Sequence, residues 1–301
     1  MSSFLARSFW GDILSLAAGA LLPLAFAPYK FFPIAVLSLA VLFFSWLKTS
    51  PYRAAFRGWL FGVGMFGFGV TWIFISIYQY GNVPLTLSLL ITALFVVFLA
   101  SYPALAGFVL ARYFPAVCGR SVSLFLLVFV PAIWTLAEWL RGWLFTGFPW
   151  LHVGIAPVFG VYGVSWVTAI SAGLLVLVVV SRGASLRLRY AGVLAGLWIV
   201  GALLGMIKWV EPVADPLKVS LIQGNIPQEI KWLRETRQPT IDLYTELTRA
   251  HWDSDLVIWP ETAVSDFYQR QRDFFDSLAI EARANDTDLL IGVVTMDADG
   301  E

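Results

Sequence analysis

Cysteine, histidine and charge are all scarce in this chain. Its single cysteine, Cys118, excludes an internal disulfide and leaves the redox compartment undefined. Only 13% of the residues are charged against 59% hydrophobic, and a mean hydropathy of +0.76 excludes an ordinary soluble protein. Acidic residues are nearly missing from positions 1–210, which hold 2 Asp/Glu against 12 Lys/Arg. Positions 211–301 hold 18 against 8, so a net charge of zero conceals two segments shaped by different solvents. Repeats and low-complexity tracts are absent from both.

In place of charge there are long apolar runs. A bilayer core of about 30 Å takes roughly 20 apolar residues per helix. Seven runs qualify, near 10–28, 31–47, 58–78, 85–111, 122–144, 161–180 and 190–210, which makes residues 1–210 a polytopic α-helical membrane domain. The second run is short and sits behind Pro28 and Pro33, so a re-entrant or tilted hairpin with the first is the alternative. The opening MSSFLARSFWGDILSLAAGALLPLAFA has the basic start and apolar core of a signal peptide, but further spans follow and it reads as a retained helix. If the spans alternate, Arg7, Lys48, Arg53, Arg57, Arg112, Arg120, Arg182, Arg187 and Arg189 fall on one side. The basic side of a membrane protein is cytoplasmic, which places the N-terminus inside and residue 211 onward outside the cytoplasm.

Pro212 and Pro216 mark the exit from the last run, and the pattern becomes segmented. Residues 217–226 and 256–259 read as strands, 236–252 and 268–284 as charged helices, and 288–296 as a third apolar run before the turn Asp297-Ala298-Asp299-Gly300. The order β-α-β-α-β predicts a parallel sheet with right-handed crossovers, whose chemistry gathers at the C-terminal ends of its strands. The segment DLVIWPET (Asp255–Thr262) delivers Glu261 to such an end, behind the stiff Pro260. A carboxylate held there and half withdrawn from water suits general-base work. A cap for a following helix is the structural alternative.

The run VSLIQGNIPQEIKW (Val219–Trp232), followed about thirty residues later by DLVIWPET, resembles the opening of a nitrilase-type amidase domain. Joined to a membrane half containing FAPYKFFPIAVLSLA, GFGVTWIFISIYQYGNVP and AEWLRGWLFTGFPWLHVG, it resembles bacterial apolipoprotein N-acyltransferases over nearly the whole chain. The resemblance implies an α-β-β-α sandwich outside the cytoplasm of a bacterial inner-membrane protein, of which residues 217–301 would be the first part. It implies transfer of an acyl chain from a membrane phospholipid to the α-amino group of the diacylglyceryl-cysteine that begins an apolipoprotein. A Glu-Lys-Cys triad would act through a thioester, with no metal, no cofactor and no nucleic-acid partner. Glu261 matches the triad glutamate, the base that takes the thiol proton, and Trp232 matches the tryptophan that closes the IPQ-x-x-KW motif at the substrate pocket.

The family's lysine and cysteine belong to later parts of the nitrilase domain, so the 301 residues by themselves are expected to insert in a membrane but not to transfer acyl groups. Cys118 is no substitute, because its loop is expected across the bilayer from Glu261, and Lys218 and Lys231 precede Glu261, in the wrong order for the triad. The rival readings are a silent membrane fragment or lipid-binding anchor, and a membrane-attached amidohydrolase. Glu138 and Arg141, three apart near the end of the fifth run, share a helix face, either as an ion pair shaping the Gly147–Trp150 loop or as a contact to a phospholipid head group. His152 reads as interfacial packing. Trp139, Trp143, Phe148 and Trp150 read as an interfacial belt that would also border a lateral entrance for lipid.

Overall fold

The computed structural model describes residues 9–115, 120–151 and 160–296; Cys118, His152 and the turn at 297–300 lie outside these. The chain divides into two compact units, Met1–Trp209 and Val210–Glu301.

Among the described residues, the regular elements of the first unit are all helical. Its elements are α1 (Phe9–Leu21, prolonged by a 3-10 turn to Ala25), α2 (Pro33–Trp46), α3 (Pro51–Gly69), α4 (Trp72–Ile75, prolonged by a π-turn to Tyr80) and α5 (Leu85–Tyr113). There follow α6 (Arg120–Leu124), a π-turn over Phe125–Phe129, α7 (Val130–Trp143), α8 (Gly160–Val180) and α9 (Ala184–Gly205). Helix covers most of each of the seven expected runs, the third being broken between α3 and α4. Four helical stretches, Leu85–Tyr113, Val122–Thr146, Gly160–Val180 and Ala184–Gly205, are long and apolar enough to cross a bilayer, and α3 with α4 forms a fifth, bent by 53°. The chain is thus a multi-pass membrane protein. α1 and α2 are shorter apolar helices, which keeps the hairpin alternative for the first two runs open.

Two helices begin earlier than the hydropathy suggests. α3 starts at Pro51 rather than near 58, and α9 at Ala184 rather than near 190, so Arg53, Arg57, Arg187 and Arg189 lie inside helices. Arg57 is fully buried: its Nε donates to Asp12 on α1 at 3.0 Å and its Nη1 to the carbonyl of Ser45 at 2.6 Å. Arg53 meets the other oxygen of Asp12 at 2.6 Å. Both charges are thereby satisfied inside the unit, which a one-dimensional hydropathy trace cannot register.

Helix α3 is the hub of the unit, and glycines make it so. A Cβ at Gly58 would stand 2.2 Å from the carbonyl oxygen of Pro103 on α5, and one at Gly62 would stand 2.6 Å from the Cα of Ala100. On the opposite side a Cβ at Gly64 would stand 2.4 Å from the carbonyl oxygen of Leu16, and one at Gly19 of α1 would stand 2.0 Å from that of Phe61. Helices in lipid gain little from the hydrophobic effect and associate through such close backbone approach. Phe43, Phe61 and Trp134 fill the space beside these contacts, with Trp134 edge-on to both phenyl rings.

The second unit contains a parallel sheet of β1 (Val219–Leu221), β2 (Leu256–Ile258) and β4 (Asp288–Leu290) in the order β1-β2-β4, with Val219 opposite Leu256 and Leu256 opposite Asp288. α10 (Arg234–Arg249) follows β1, and α11 (Arg272–Ala284) precedes β4. The expected parallel order holds. An additional strand, β3 (Val264–Phe267), pairs in parallel with β5 (Val293–Val294). Val257, Trp259, Ile222, Ile241, Tyr244 and Leu278 make the core, where the Trp259 indole lies 5.1 Å from the Tyr244 ring and its N–H donates to Thr248 Oγ1 at 2.8 Å.

β3 escapes hydropathy because it buries Ser265 and Asp266. Asp266 is matched by Arg237 at 3.0 Å, the amide of Gln271 at 2.9 Å, the backbone N–H of Phe267 at 2.9 Å and Arg270 at 3.6 Å. Burial pushes its carboxyl up, but the hydrogen bonds from Gln271 and Phe267 and the charges of Arg237 and Arg270 outweigh it and hold the group below the usual carboxylate range.

Two predictions follow from these contacts. Gly58→Ala should destabilise the protein in detergent by about 1–3 kcal/mol, since a backbone carbonyl has nowhere to yield. Gly67→Ala in the same helix meets nothing within 4 Å and should be neutral or stabilising by up to about 1 kcal/mol, so thermal unfolding of the pair isolates the close approach. A depressed carboxyl stabilises the fold above its unfolded value, about pH 4, and that stabilisation drains as the pH falls through the folded value. Protease resistance of residues 217–296 should therefore drop below pH 4, and Asp266→Ala should cost about 1–2 kcal/mol at pH 7 and flatten that dependence.

Candidate active site

The loops that leave the C-terminal ends of β1 and β2 meet at Glu261. After β1 the chain continues through Ile222, whose N–H donates to the Ile258 carbonyl at 2.9 Å, and through Asn225 in left-handed backbone (φ 49). It then turns at Pro227, whose carbonyl accepts the N–H groups of Ile230 and Lys231 at 3.2 and 3.1 Å. After β2, the N–H of Trp259 donates to the Leu290 carbonyl at 2.9 Å, and the turn Pro260–Ala263 closes with Ala263 N–H on the Pro260 carbonyl at 3.2 Å. Thr262 inside this turn has φ 54, and a Cβ at Gly292 would stand 3.0 Å from the Cα of Glu261, so a small residue is required beneath it. Lys231 reaches across from the first loop and donates to the Glu261 carbonyl oxygen at 3.4 Å.

Glu261 therefore lies at a strand end, as expected, but two details differ. Its side chain is exposed rather than half withdrawn, because the turn lifts it past the last ladder bond while the neighbours on either side, Trp259 and Ala263, take the buried positions. The helix-cap alternative fails, since Glu261 is followed by β3 and not by a helix. Trp232, at the end of the loop that carries Lys231, is 56% exposed.

Lys218 is separated from this place by the length of the sheet. It precedes β1, pairs with Asp253 and donates its backbone N–H to Asp255 Oδ2 at 2.6 Å, all at the N-terminal ends of the strands. The side chain of Asp253 is held below the usual carboxylate range by the hydrogen bond from the Lys218 ammonium and by its charge. Lys231 is the neighbour that the order of the triad had set aside; its approach to the main chain of Glu261 depends on a loop conformation that spacing does not encode. Among the described residues, no group of three or more His, Cys, Asp or Glu side chains is arranged to hold a metal.

In the membrane unit, Glu138 and Arg141 are both buried on α7 but do not form the expected ion pair within 4 Å. Arg141 Nη1 instead donates to the carbonyls of Phe148 and Trp150. The guanidinium also lies over the Phe66 ring at 5.3 Å. The guanidinium shapes the loop directly, its Nη1 turned to two main-chain oxygens rather than to the carboxylate one turn away. Trp139, Trp143 and Trp150 are exposed, whereas Phe148 is packed edge-on to Phe95 at 5.1 Å.

Residues 18–174 match the family model described as the apolipoprotein N-acyltransferase N-terminal domain. The apolipoprotein N-acyltransferase of Methylococcus capsulatus is 45% identical over 300 residues, covering 96% of this chain and 58% of that protein. That of Coxiella burnetii is 39% identical over 292 residues, covering 94% and 60%, and that of Vibrio cholerae is 37% identical over 310 residues, covering 99% and 60%. The chain thus spans about 60% of the length of these relatives. A helical unit matched along most of its length, followed by a parallel α/β unit with a glutamate at the end of its central strand, places this chain in the apolipoprotein N-acyltransferase family.

Proposed function

We propose that this chain carries the membrane domain and the first part of the nitrilase-type domain of an N-acyltransferase that matures lipoproteins. The acyl chain comes from a membrane phospholipid and is passed to the N-terminal diacylglyceryl-cysteine of an apolipoprotein. The observation that carries this reading is the meeting of the IPQEIKW loop with Glu261 at the C-terminal ends of parallel strands, within a chain whose first unit is a bundle of apolar helices.

Glu261 is the general base. Its carboxylate takes the proton of the thiol as the sulfur attacks the phospholipid ester, the alcohol of the lysophospholipid leaves, and the thioester so formed is attacked by the amine of the acceptor. In the family pattern a lysine steadies the oxyanion and a cysteine provides the sulfur. Lys231 ties the first loop to the main chain of Glu261 through its hydrogen bond to the carbonyl oxygen. Trp232 offers a broad exposed ring at the mouth of the same loops, suited to an acyl or glyceryl surface. Burial of the reacting carboxylate, which general-base chemistry benefits from, would come from substrate settling over this exposed edge.

Glu261→Gln keeps the volume and removes the proton acceptor. In the complete enzyme, acyl-enzyme formation from phospholipid should fall by about 10²-fold or more with expression unchanged, and near wild-type acylation would remove Glu261 from the mechanism.

The protein sits in the bacterial inner membrane with its N-terminus in the cytoplasm and residues 211–301 in the periplasm. The support is the one-sided distribution of Lys48, Arg112, Arg120, Arg182, Arg187 and Arg189 at the ends of the apolar helices and in the links that join them; Arg53 and Arg57, paired with Asp12, no longer count toward it. A reporter active only outside the cytoplasm, fused after Met296, should give signal. Signal from a cytoplasmic reporter at that position would overturn the orientation.

A further inference from the structure

The loop behind α7 is more constrained than an interfacial anchor needs to be. Phe145, Thr146 and Leu151 hold left-handed backbone at φ 53, 72 and 59, a region that disfavours bulky and β-branched residues. Gly147 shares it at φ 79, and a Cβ there would stand 2.1 Å from the Gly142 carbonyl oxygen. Arg141 is what holds the loop. Its Nη1 donates to Phe148 O at 2.8 Å and to Trp150 O, and its own carbonyl accepts the Phe148 N–H at 2.7 Å. The loop so fastened sets Trp150 against Trp72 at 5.2 Å and Phe145 against Phe98 at 5.8 Å, while leaving Phe145 75% exposed.

Behind the loop, polar groups are left over. Both oxygens of Glu138, Arg141 Nη2 and the indole N–H of Trp134 are buried with no hydrogen-bond partner within 3.5 Å, although the side chains of Ser165 and Trp134 face the carboxylate. Glu138, Arg141 and Trp134 line a small cavity of about 20 Å³, mostly apolar in its lining, together with Tyr102 and Phe66. Buried charges and donors require partners, and a cavity of this size has room for about one water.

We propose that Arg141 is a positioning residue for the acyl-donor phospholipid: buried beside Glu138 one helical turn away, it clasps the loop Leu144–Leu151 in the conformation whose exposed aromatic face the lipid meets. This rests on the reading that the enzyme draws its acyl chain from membrane phospholipid. An aromatic belt that merely anchors a helix needs neither a buried guanidinium on its main chain nor left-handed backbone at three side-chain-bearing residues.

The test uses the complete enzyme in detergent micelles doped with dioleoylphosphatidylethanolamine, comparing Arg141→Gln, Arg141→Lys and Glu138→Gln with the wild type. Amide hydrogen exchange across residues 144–151 reads the clasp, and the KM and kcat of acyl-enzyme formation read its consequence. Arg141→Gln should speed exchange in the loop by about 100-fold. It should raise the KM for phospholipid by about 10-fold while kcat stays within about threefold. Arg141→Lys, which keeps the charge but lacks the planar fork, should move both in the same direction by less, and it decides the matter if Arg141→Gln does not accumulate. Glu138→Gln should loosen the loop measurably without abolishing it. Unchanged exchange in the Arg141 variants overturns the clasp, and a loosened loop with unchanged KM overturns its role toward lipid. A wild-type enzyme that formed no acyl-enzyme from phospholipid would instead remove the functional reading, and the lipid role with it, while exchange would still decide the clasp.

Discussion

The near-contact of main chains around α3 is the constraint on which the membrane unit depends. With glycine at positions 58 and 62 facing α5, and at 19 and 64 on the α1 side, three helices approach until backbone atoms of one stand where side chains of another would be. Dispersion and interhelical polar contacts act only at such range, and lipid offers no hydrophobic drive to replace them. The position of α3 then fixes what its remaining residues meet. Arg57 at one end enters the bundle and finds Asp12 and the Ser45 carbonyl, and Met65 and Phe66 toward the other end form the floor of the cavity beside Glu138 and Arg141.

In the α/β unit the comparable role belongs to β2. It is flanked on both edges by parallel partners, its Val257 is fully buried, and its extension delivers Trp259 to the core before the chain turns at Pro260. Because Trp259 is stacked on Tyr244 and hydrogen-bonded to Thr248, the residue two positions later has a fixed origin even though its carboxylate is exposed. A carboxylate mounted on a strand end is positioned by rigid elements and remains open to solvent, at the C-terminal edge of a parallel sheet where such folds gather their chemistry.

The two clusters of buried charge in the membrane unit differ in kind. Asp12 is enclosed by Arg53 and Arg57, so opposite charges meet at hydrogen-bonding distance and serve packing. Glu138 and Arg141 are one helical turn apart yet turned differently, the guanidinium to carbonyls of its own loop and the carboxylate to a small, mostly apolar cavity. Satisfied networks hold a fold in place, whereas charges kept buried without direct pairing mark a position under functional constraint.

The sequence by itself determined the division into an apolar and an acidic segment, the seven apolar helices, the parallel order of the strands and the seat of Glu261 at a strand end. Each of these follows from which solvent a segment faces and from local turn chemistry, and both are written along one dimension. The starts of α3 and α9, the burial of Arg57, the strand β3 with its inward Asp266, the exposure of Glu261 and the attachment of Arg141 to its loop were decided by the tertiary structure. A charge reads as solvated until another element supplies its partner, and a carboxylate reads as half buried until the turn that carries it is closed. Asp12 comes to Arg57 from 45 residues away by packing, and even the near partners of Arg141 and Asp266 meet them only through a loop or turn geometry that hydropathy along the chain does not encode.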